Sequence, residues 1–350
     1  MGGKMRARDA QPIRRERIDL PETSPGTRRH LEVWRFGAPG ARPKAYFQAS
    51  LHADELSAMV VAHALAARLE AAARRGGIAG EVVVVPVANP IGLAQFVQGR
   101  SLGRFALGGG GNFNRGFADV TDAVAARVAD GLGDDAVRNV ALVREAMAAI
   151  VTELEAVDEV QSLRRTLLGL AADADIALDL HCDSEALMHL YLGTPLWPAA
   201  ADLSAQIGSY ATLLALASGG SPFDEAVGGV WWALAERFPQ HPLPPACLSG
   251  TVELRGRADV SEALADADAD NLVRFLQRRG VVAGDPGPLP PALCDATPLE
   301  GVDMVHAPCA GVICYRRDLG ARVAAGGERA VMRDPRAPDA ARARTALSAT

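Results

Sequence analysis

The chain has 350 residues, with 36 Lys and Arg against 42 Asp and Glu and a formal net charge of −6. Apolar residues make up 49% and charged residues 22%, a globular composition that excludes a disordered chain and suits about two domains. A mildly acidic chain whose lysines are only Lys4 and Lys44 lacks the basic face that a nucleic-acid binder needs, so no nucleic-acid partner is expected.

The cysteines (Cys182, Cys247, Cys294, Cys309 and Cys314) are odd in number and form no CxxC pair, which argues against a disulfide framework and against a Cys-type structural zinc site. Residues 1–27 read as a loose, polar, Arg-rich leader without the apolar segment of a signal peptide. No run of about 18 apolar residues predicts a membrane span, and the expectation is a cytoplasmic protein with no membrane partner.

Residues 28–285 carry the pattern of an α/β domain. Leu31–Phe36 and Ala45–Leu51 read as strands, and Asp54–Arg75 as an Ala/Leu-rich helix stopped by Gly76-Gly77. Glu81–Val87 is almost continuously apolar, which suits a strand covered on both faces. Asn89–Phe117 is a long irregular Gly/Arg-rich stretch, a length that usually signals function. Helices are expected over 120–172, strands at Ile176–Leu180 and Leu187–Leu192, and a helix at Ala200–Ala217. A Gly/Ser loop over Ser218–Gly229 leads into a helix from Trp231 to Phe238. Thr251–Leu254 reads as a strand, and Asp259 with Glu262 has the spacing of a capping box for a helix ending at Gly280. A Pro/Gly linker at 281–296 precedes a small all-β module at 297–335 and a frayed tail at 336–350.

Four features could carry chemistry. His52 and Glu55 straddle a strand-to-helix turn and could converge on a cation, although acidic residues at a helix start also answer the helix dipole. Asp179-Leu180-His181 ends an apolar strand, where α/β sheets place their sites, and Asp179 could orient a histidine ligand; a simply satisfied strand-end histidine is the alternative. Glu253 lies in an apolar strand and could be a general base of raised pKa or the partner of Arg255 or Arg257. Arg100 and Arg104 lie in a Gly-rich loop leading to Asn112-Phe113-Asn114-Arg115. Arginines there suit carboxylate or oxyanion recognition, or are solvated surface groups, and the absence of Gly-Lys-Ser/Thr excludes a P-loop.

The order of these pieces (His52/Glu55, Asn89-Pro90, Arg104-Phe105, Asn114-Arg115, His181, Glu253) resembles the succinylglutamate desuccinylase/aspartoacylase family, a branch of the zinc carboxypeptidase superfamily, over about residues 45–260. The resemblance implies a three-layer α/β/α zinc-carboxypeptidase-like domain with a mixed sheet, followed by a small barrel-like β module. It implies one Zn²⁺ held by His52, Glu55 and His181, with Glu253 as general base. Arg104, with Arg100 as rival, would polarise the scissile carbonyl, and Asn114 and Arg115 would grip the substrate carboxylate. The implied activity is hydrolysis of a small N-acyl amino acid or related amide. A peptide carboxypeptidase or a non-catalytic metal protein remains open, as does a homo-oligomer. A covalent biotinyl or lipoyl carrier is excluded, because the β module has no lysine. Ala49-Ser50-Leu51 replaces the family's Gly-rich approach to the first ligand, Asn112-Phe113 replaces the commoner Asp-Leu, and the 120–172 insertion is longer than in compact members.

Overall fold

The computed structural model describes residues 10–337 and 344–348, so residues 1–9 of the expected leader and 338–343 and 349–350 of the expected tail lie outside it. The chain divides into two compact units, one ending at Thr297 and one starting at Pro298.

Strands β1 (Ile13–Asp19), β2 (His30–Gly37) and β3 (Lys44–Ala49) precede helix α1 (Leu56–Arg74). Strand β4 (Glu81–Val85), the short helix α2 (Pro90–Leu93) and the hairpin of β5 (Phe96–Val97) and β6 (Arg100–Ser101) follow. Helices α3 (Thr121–Val128), α4 (Ala136–Glu153) and α5 (Glu159–Ala171) lead to β7 (Ile176–Asp183) and β8 (His189–Gly193). Then come α6 (Ala201–Ile207), β9 (Ala211–Ala215), α7 (Phe223–Arg237), β10 (Leu248–Gly256), α8 (Glu262–Arg278) and the short β11 (Ala296–Pro298).

The large sheet has the order β1-β2-β4-β3-β7-β10-β8-β9-β11. It is mixed: β3 runs parallel to β4 and β7, and β7 parallel to β10, whereas β10 meets β8 antiparallel. Each face carries a helical layer. One core joins Leu65 and Leu69 of α1 to Leu178, Leu180 and Val252 of the sheet and Leu272 and Phe275 of α8. The other joins Tyr46, Val83 and Ala177 to Leu163, Leu167, Val227 and Trp231 of the helices opposite. Each such large apolar side chain is worth about 2 kcal/mol when fully buried. Helix α1 is long and apolar enough to cross a membrane, yet half of that stretch is buried in this core, and Arg68 pairs with Asp266 and Asp270 of α8.

The second unit contains strands β12 (Val312–Tyr315), β13 (Glu328–Arg333) and β14 (Arg344–Ser348), which form an open three-stranded antiparallel sheet in that order. The expected frayed tail therefore includes a strand, because residues 344–348 find main-chain partners on β13.

Four other elements differ from the sequence reading, each for a local reason. Ile13–Asp19 is a strand, not loose leader, because its backbone pairs along β2 while Glu16 takes Arg35 at 3.0 Å and Arg14 takes Glu81 at 3.1 Å; a strand held by charge pairs shows no apolar alternation. The helix expected to Ala217 stops at Ile207, where Gly208 turns left-handed at φ 69, and residues 211–215 pair parallel with β8. Helix α7 starts at Phe223, inside the expected Gly/Ser loop. Its Gly228 serves a close approach, since a Cβ there would stand 2.1 Å from Ser249 Oγ. Ser261, not Asp259, caps α8 by accepting from Leu264 N–H, while Asp259 takes Gly256 N–H at 2.9 Å.

Candidate metal centre and active site

The site forms where β3, β7 and β10 end on the same side of the sheet. Past β3, Ser50 adopts a positive φ of 58, and its hydroxyl donates to Glu55 O at 2.6 Å, which folds His52 back over Glu55. Asn89, whose side chain caps α2 ahead of Pro90, donates its amide to Leu51 O at 2.8 Å and pins the same turn. On the other side, Gly103 O accepts from Ala53 N–H at 3.0 Å. A Cβ on Gly103 would lie 2.3 Å from Asp54 N, so only glycine lets this loop bring Arg104 against the turn.

His52, Glu55 and His181 are all buried, and their ligand atoms lie within 4.8 Å of one another. His52 Nδ1 is 2.9 Å from Glu55 Oε1, and His181 Nδ1 is 2.8 Å from Glu55 Oε2. The far nitrogens have their own partners: His52 Nε2 donates to Asn112 Oδ1 at 2.8 Å, and His181 Nε2 faces Asp179 Oδ2 at 2.8 Å. Asn112 Oδ1 also accepts from Asn114 N–H at 2.8 Å, which fixes its amide orientation and makes His52 Nε2 the donor. Outer oxygens thus hold each imidazole with Nδ1 toward the Glu55 carboxylate. Two nitrogens and a carboxylate with such supports are a donor set that fits a zinc-type cation.

Electrostatics divide the carboxylates here. Burial works to raise the Glu55 pKa, but the charge and hydrogen bonds of His181 and His52 hold it far below the usual range. Burial works against a charged His181, yet Asp179 and Glu55 on either side raise its pKa well above the usual value, so without a cation it is an imidazolium between two carboxylates. Glu253 is the reverse case. It lies beside His181 in register, its Oε2 is buried without a partner, and burial, with Glu55, Asp183 and Asp179 adding to it against His181, pushes it up to about 7. Below them, burial and then Asp179 push Asp224, at the start of α7, up to about 6.

Just after Glu253 the strand breaks register, and Arg255 takes a positive φ of 65. Its guanidinium forks onto Asp268 of α8, and Arg257 pairs with Asp54 at 2.8 Å, so neither arginine is the partner of Glu253.

The loop arginines separate clearly. Arg104 Nη1 lies 3.2 Å from both Glu55 Oε1 and His52 Nδ1, with its side chain half exposed. Arg100 sits exposed in the β5–β6 hairpin and makes no side-chain hydrogen bond or ion pair among the described residues. Asn114 is buried: Phe223 N–H donates to its Oδ1 at 2.9 Å, and its amide nitrogen is 3.4 Å from His181 Nε2. The Oδ1 contact ties Asn114 to the start of α7, beside His181. Among the described residues the Arg115 guanidinium has no carboxylate partner, and it donates to Asn114 O at 2.6 Å.

The sequence reading did not single out His52's acceptor Asn112, the buried Asp224, or His189 and Tyr191. The last two oppose Glu253 and Thr251 across β10 and β8. Alternation in His189-Leu190-Tyr191-Leu192 was the available signal, but its meaning depends on β10 lying next to β8.

Fold and site together define an α/β protein with a nine-stranded mixed sheet and a buried His-Glu-His group able to hold a metal. Residues 41–143 match the family model described as succinylglutamate desuccinylase/aspartoacylase catalytic domain. The chain thus carries that family's catalytic-domain pattern, and the resemblance extends to solved structures. A succinylglutamate desuccinylase/aspartoacylase family protein from Shewanella amazonensis SB2B matches with a TM-score of 0.84 and 27% identity, over 96% of this chain and 91% of that one. A structure named for the same family from Shewanella frigidimarina NCIMB 400 matches with a TM-score of 0.84 and 24% identity, over 97% and 91%. The product-bound ectoine utilization protein EutE (DoeB) from Ruegeria pomeroyi shares the fold, with a TM-score of 0.63 and 19% identity over 97% and 88%. No curated protein matches the chain.

Proposed function

We propose that the protein is a zinc-dependent hydrolase that cleaves the amide bond of a small N-acyl amino acid or related N-acyl amine. The observation that carries this reading is the meeting of His52, Glu55 and His181 beside Glu253, a carboxyl held near pH 7 on the adjacent strand. When bound, the cation supplies a Lewis acid that polarises the amide carbonyl and lowers the pKa of water to about 7.

The protein's own groups do the rest. Glu253 accepts a proton from the attacking water and returns it to the departing amine, a task suited to a carboxyl that titrates near neutrality. Arg104, half exposed and held by Glu55 and His52, can turn its guanidinium to the oxygen that becomes negative. Arg115, without an acidic partner among the described residues, takes the substrate carboxylate, while Asn114, held by Phe223 N–H, lies beside His181.

Elemental analysis of purified protein, followed by a screen of N-acyl amino acids beside peptides, tests this. About one zinc per chain and hydrolysis of N-acyl amino acids are expected. The metal should be lost in a His52→Ala/His181→Ala double variant and the hydrolysis in Glu253→Gln. Metal retained by the double variant, or activity unchanged in Glu253→Gln, would refute the assignment. Hydrolysis of peptides alone would replace it with a carboxypeptidase.

A further inference from the structure

Three neighbouring strands carry a row of side chains across the site. His181 on β7 is in register with Glu253 on β10, and Glu253 with His189 on β8; one step along lie Asp179, Thr251 and Tyr191. The residues between them, Leu180, Val252 and Leu190, are buried in the core on the other face, so all six share the site face. Adjacent strands lie about 4.8 Å apart, which sets His189 one strand beyond Glu253 on the side away from the metal ligands.

The chemistry of His189 is fixed by its own loop. Nδ1 lies 2.8 Å from Leu187 O, and a carbonyl only accepts, so Nδ1 carries a proton and in the neutral ring Nε2 presents a lone pair. No protein group among the described residues donates to Nε2. The ring stands edge-on to Tyr191 at 5.4 Å and 71°, which holds it in place. Tyr191 itself stays protonated, because burial and then Glu253 and Asp183 raise its pKa.

Resting on the reading of the site as an N-acyl amine hydrolase, we propose that His189 is a specificity-determining substrate contact. Its Nε2 accepts a hydrogen bond from an O–H or N–H group on the amine portion of the substrate. Glu253 returns its proton to the departing nitrogen, so that nitrogen lies at Glu253, and what it bears reaches toward β8. With Arg115 holding a carboxylate, the preferred substrate class is an N-acyl amino acid whose side chain carries a hydrogen-bond donor.

The experiment compares zinc-loaded full-length wild type, His189→Phe and His189→Gln on two matched pairs, N-acetyl-L-serine with N-acetyl-L-alanine and Nα-acetyl-L-lysine with N-acetyl-L-norleucine. Wild type should favour the donor-bearing member of at least one pair by about tenfold in kcat/KM, mainly through KM. The ratio should fall to near one in His189→Phe and recover in part in His189→Gln, whose side-chain oxygen also accepts. Calorimetric binding of the same four compounds to wild type and His189→Phe gives a readout that does not depend on turnover. An equal ratio in wild type, or a preference that survives His189→Phe in both rate and binding, overturns the role of His189. Failure of the hydrolase reading looks different: no N-acyl amine is cleaved, whatever stands at position 189, while the binding difference still decides for or against His189.

Discussion

Replacing Glu253 by Gln should remove activity and at the same time stabilise the fold, and the two effects have one cause. Burial lifts the Glu253 carboxyl from 4.5 to about 7, a displacement worth about 3 kcal/mol. Below about pH 4.5 the carboxyl is protonated in both folded and unfolded chains and costs nothing extra. As pH rises, the unfolded chain releases the proton first while the folded chain keeps it, and wild type loses stability until the folded group also ionises near pH 7. Gln is isosteric and never ionises, so that loss is absent. Denaturant unfolding of chelator-treated wild type and Glu253→Gln at pH 5 and pH 8 measures it. The variant should be more stable by only about 1 kcal/mol at pH 5 and by up to about 3 kcal/mol at pH 8. With zinc restored, the variant's kcat should be roughly 10²–10⁴-fold lower. Parallel pH dependences in the two proteins would refute the raised pKa, and with it the reason for assigning Glu253 the proton transfer.

Zinc uptake should release a proton near neutral pH, because His181 is an imidazolium between Asp179 and Glu55 before the metal arrives; affinity measured by chelator competition should fall about tenfold per pH unit below the His181 pKa, and a flat profile from pH 6 to 8 would contradict it. Arg104→Ala should lower kcat by roughly 10²–10³-fold, the usual cost of an oxyanion donor, whereas Arg100→Ala should leave it within about twofold, as steady-state kinetics on the best N-acyl substrate will show. Gly220→Ala should raise KM more than it lowers kcat, since its Cβ would lie 2.6 Å from Arg115 Cδ. Gly219→Ala is the control: it shares the strained positive φ but meets nothing within 4 Å, so an equal effect there would assign the change to backbone strain.

Much of this site could be read in the sequence because its parts are local. His52 and Glu55 flank one turn, and Asp179 and His181 alternate on one strand, so short spacing already places each pair on a common face. The buried strands β3, β4 and β7 were legible for the same reason, as apolar runs covered on both faces. What escaped depends on distant partners. Strand β1 is held by charged pairs to β2 and β4, and β9 is an apolar run whose strand character comes from pairing with β8, a choice that periodicity alone does not make. The choice between Arg100 and Arg104 turns on Gly103, whose backbone packs against Ala53 and Asp54 and carries the next residue into the site. Asp224 was hidden because α7 begins within glycines and serines that read as a loop, and His189 because its neighbour across the sheet is Glu253, far along the chain.

The split among the carboxylates suggests why Arg104 is where it is. Glu55 and Asp179 flank His181, and the His181 imidazolium and the Arg104 guanidinium both answer the Glu55 carboxylate before a cation binds. A divalent ion that displaces the His181 proton adds two charges and removes one. The Glu55 carboxylate would then be answered by the metal, which would leave the Arg104 charge free for an amide oxygen turning negative. Glu253 and Asp224 form no ion pair among the described residues, and burial keeps their protons up to about pH 7 and 6. The site thus keeps the Glu55 carboxylate for charge and Glu253 and Asp224 for protons, an assignment made by their neighbours and not by residue type.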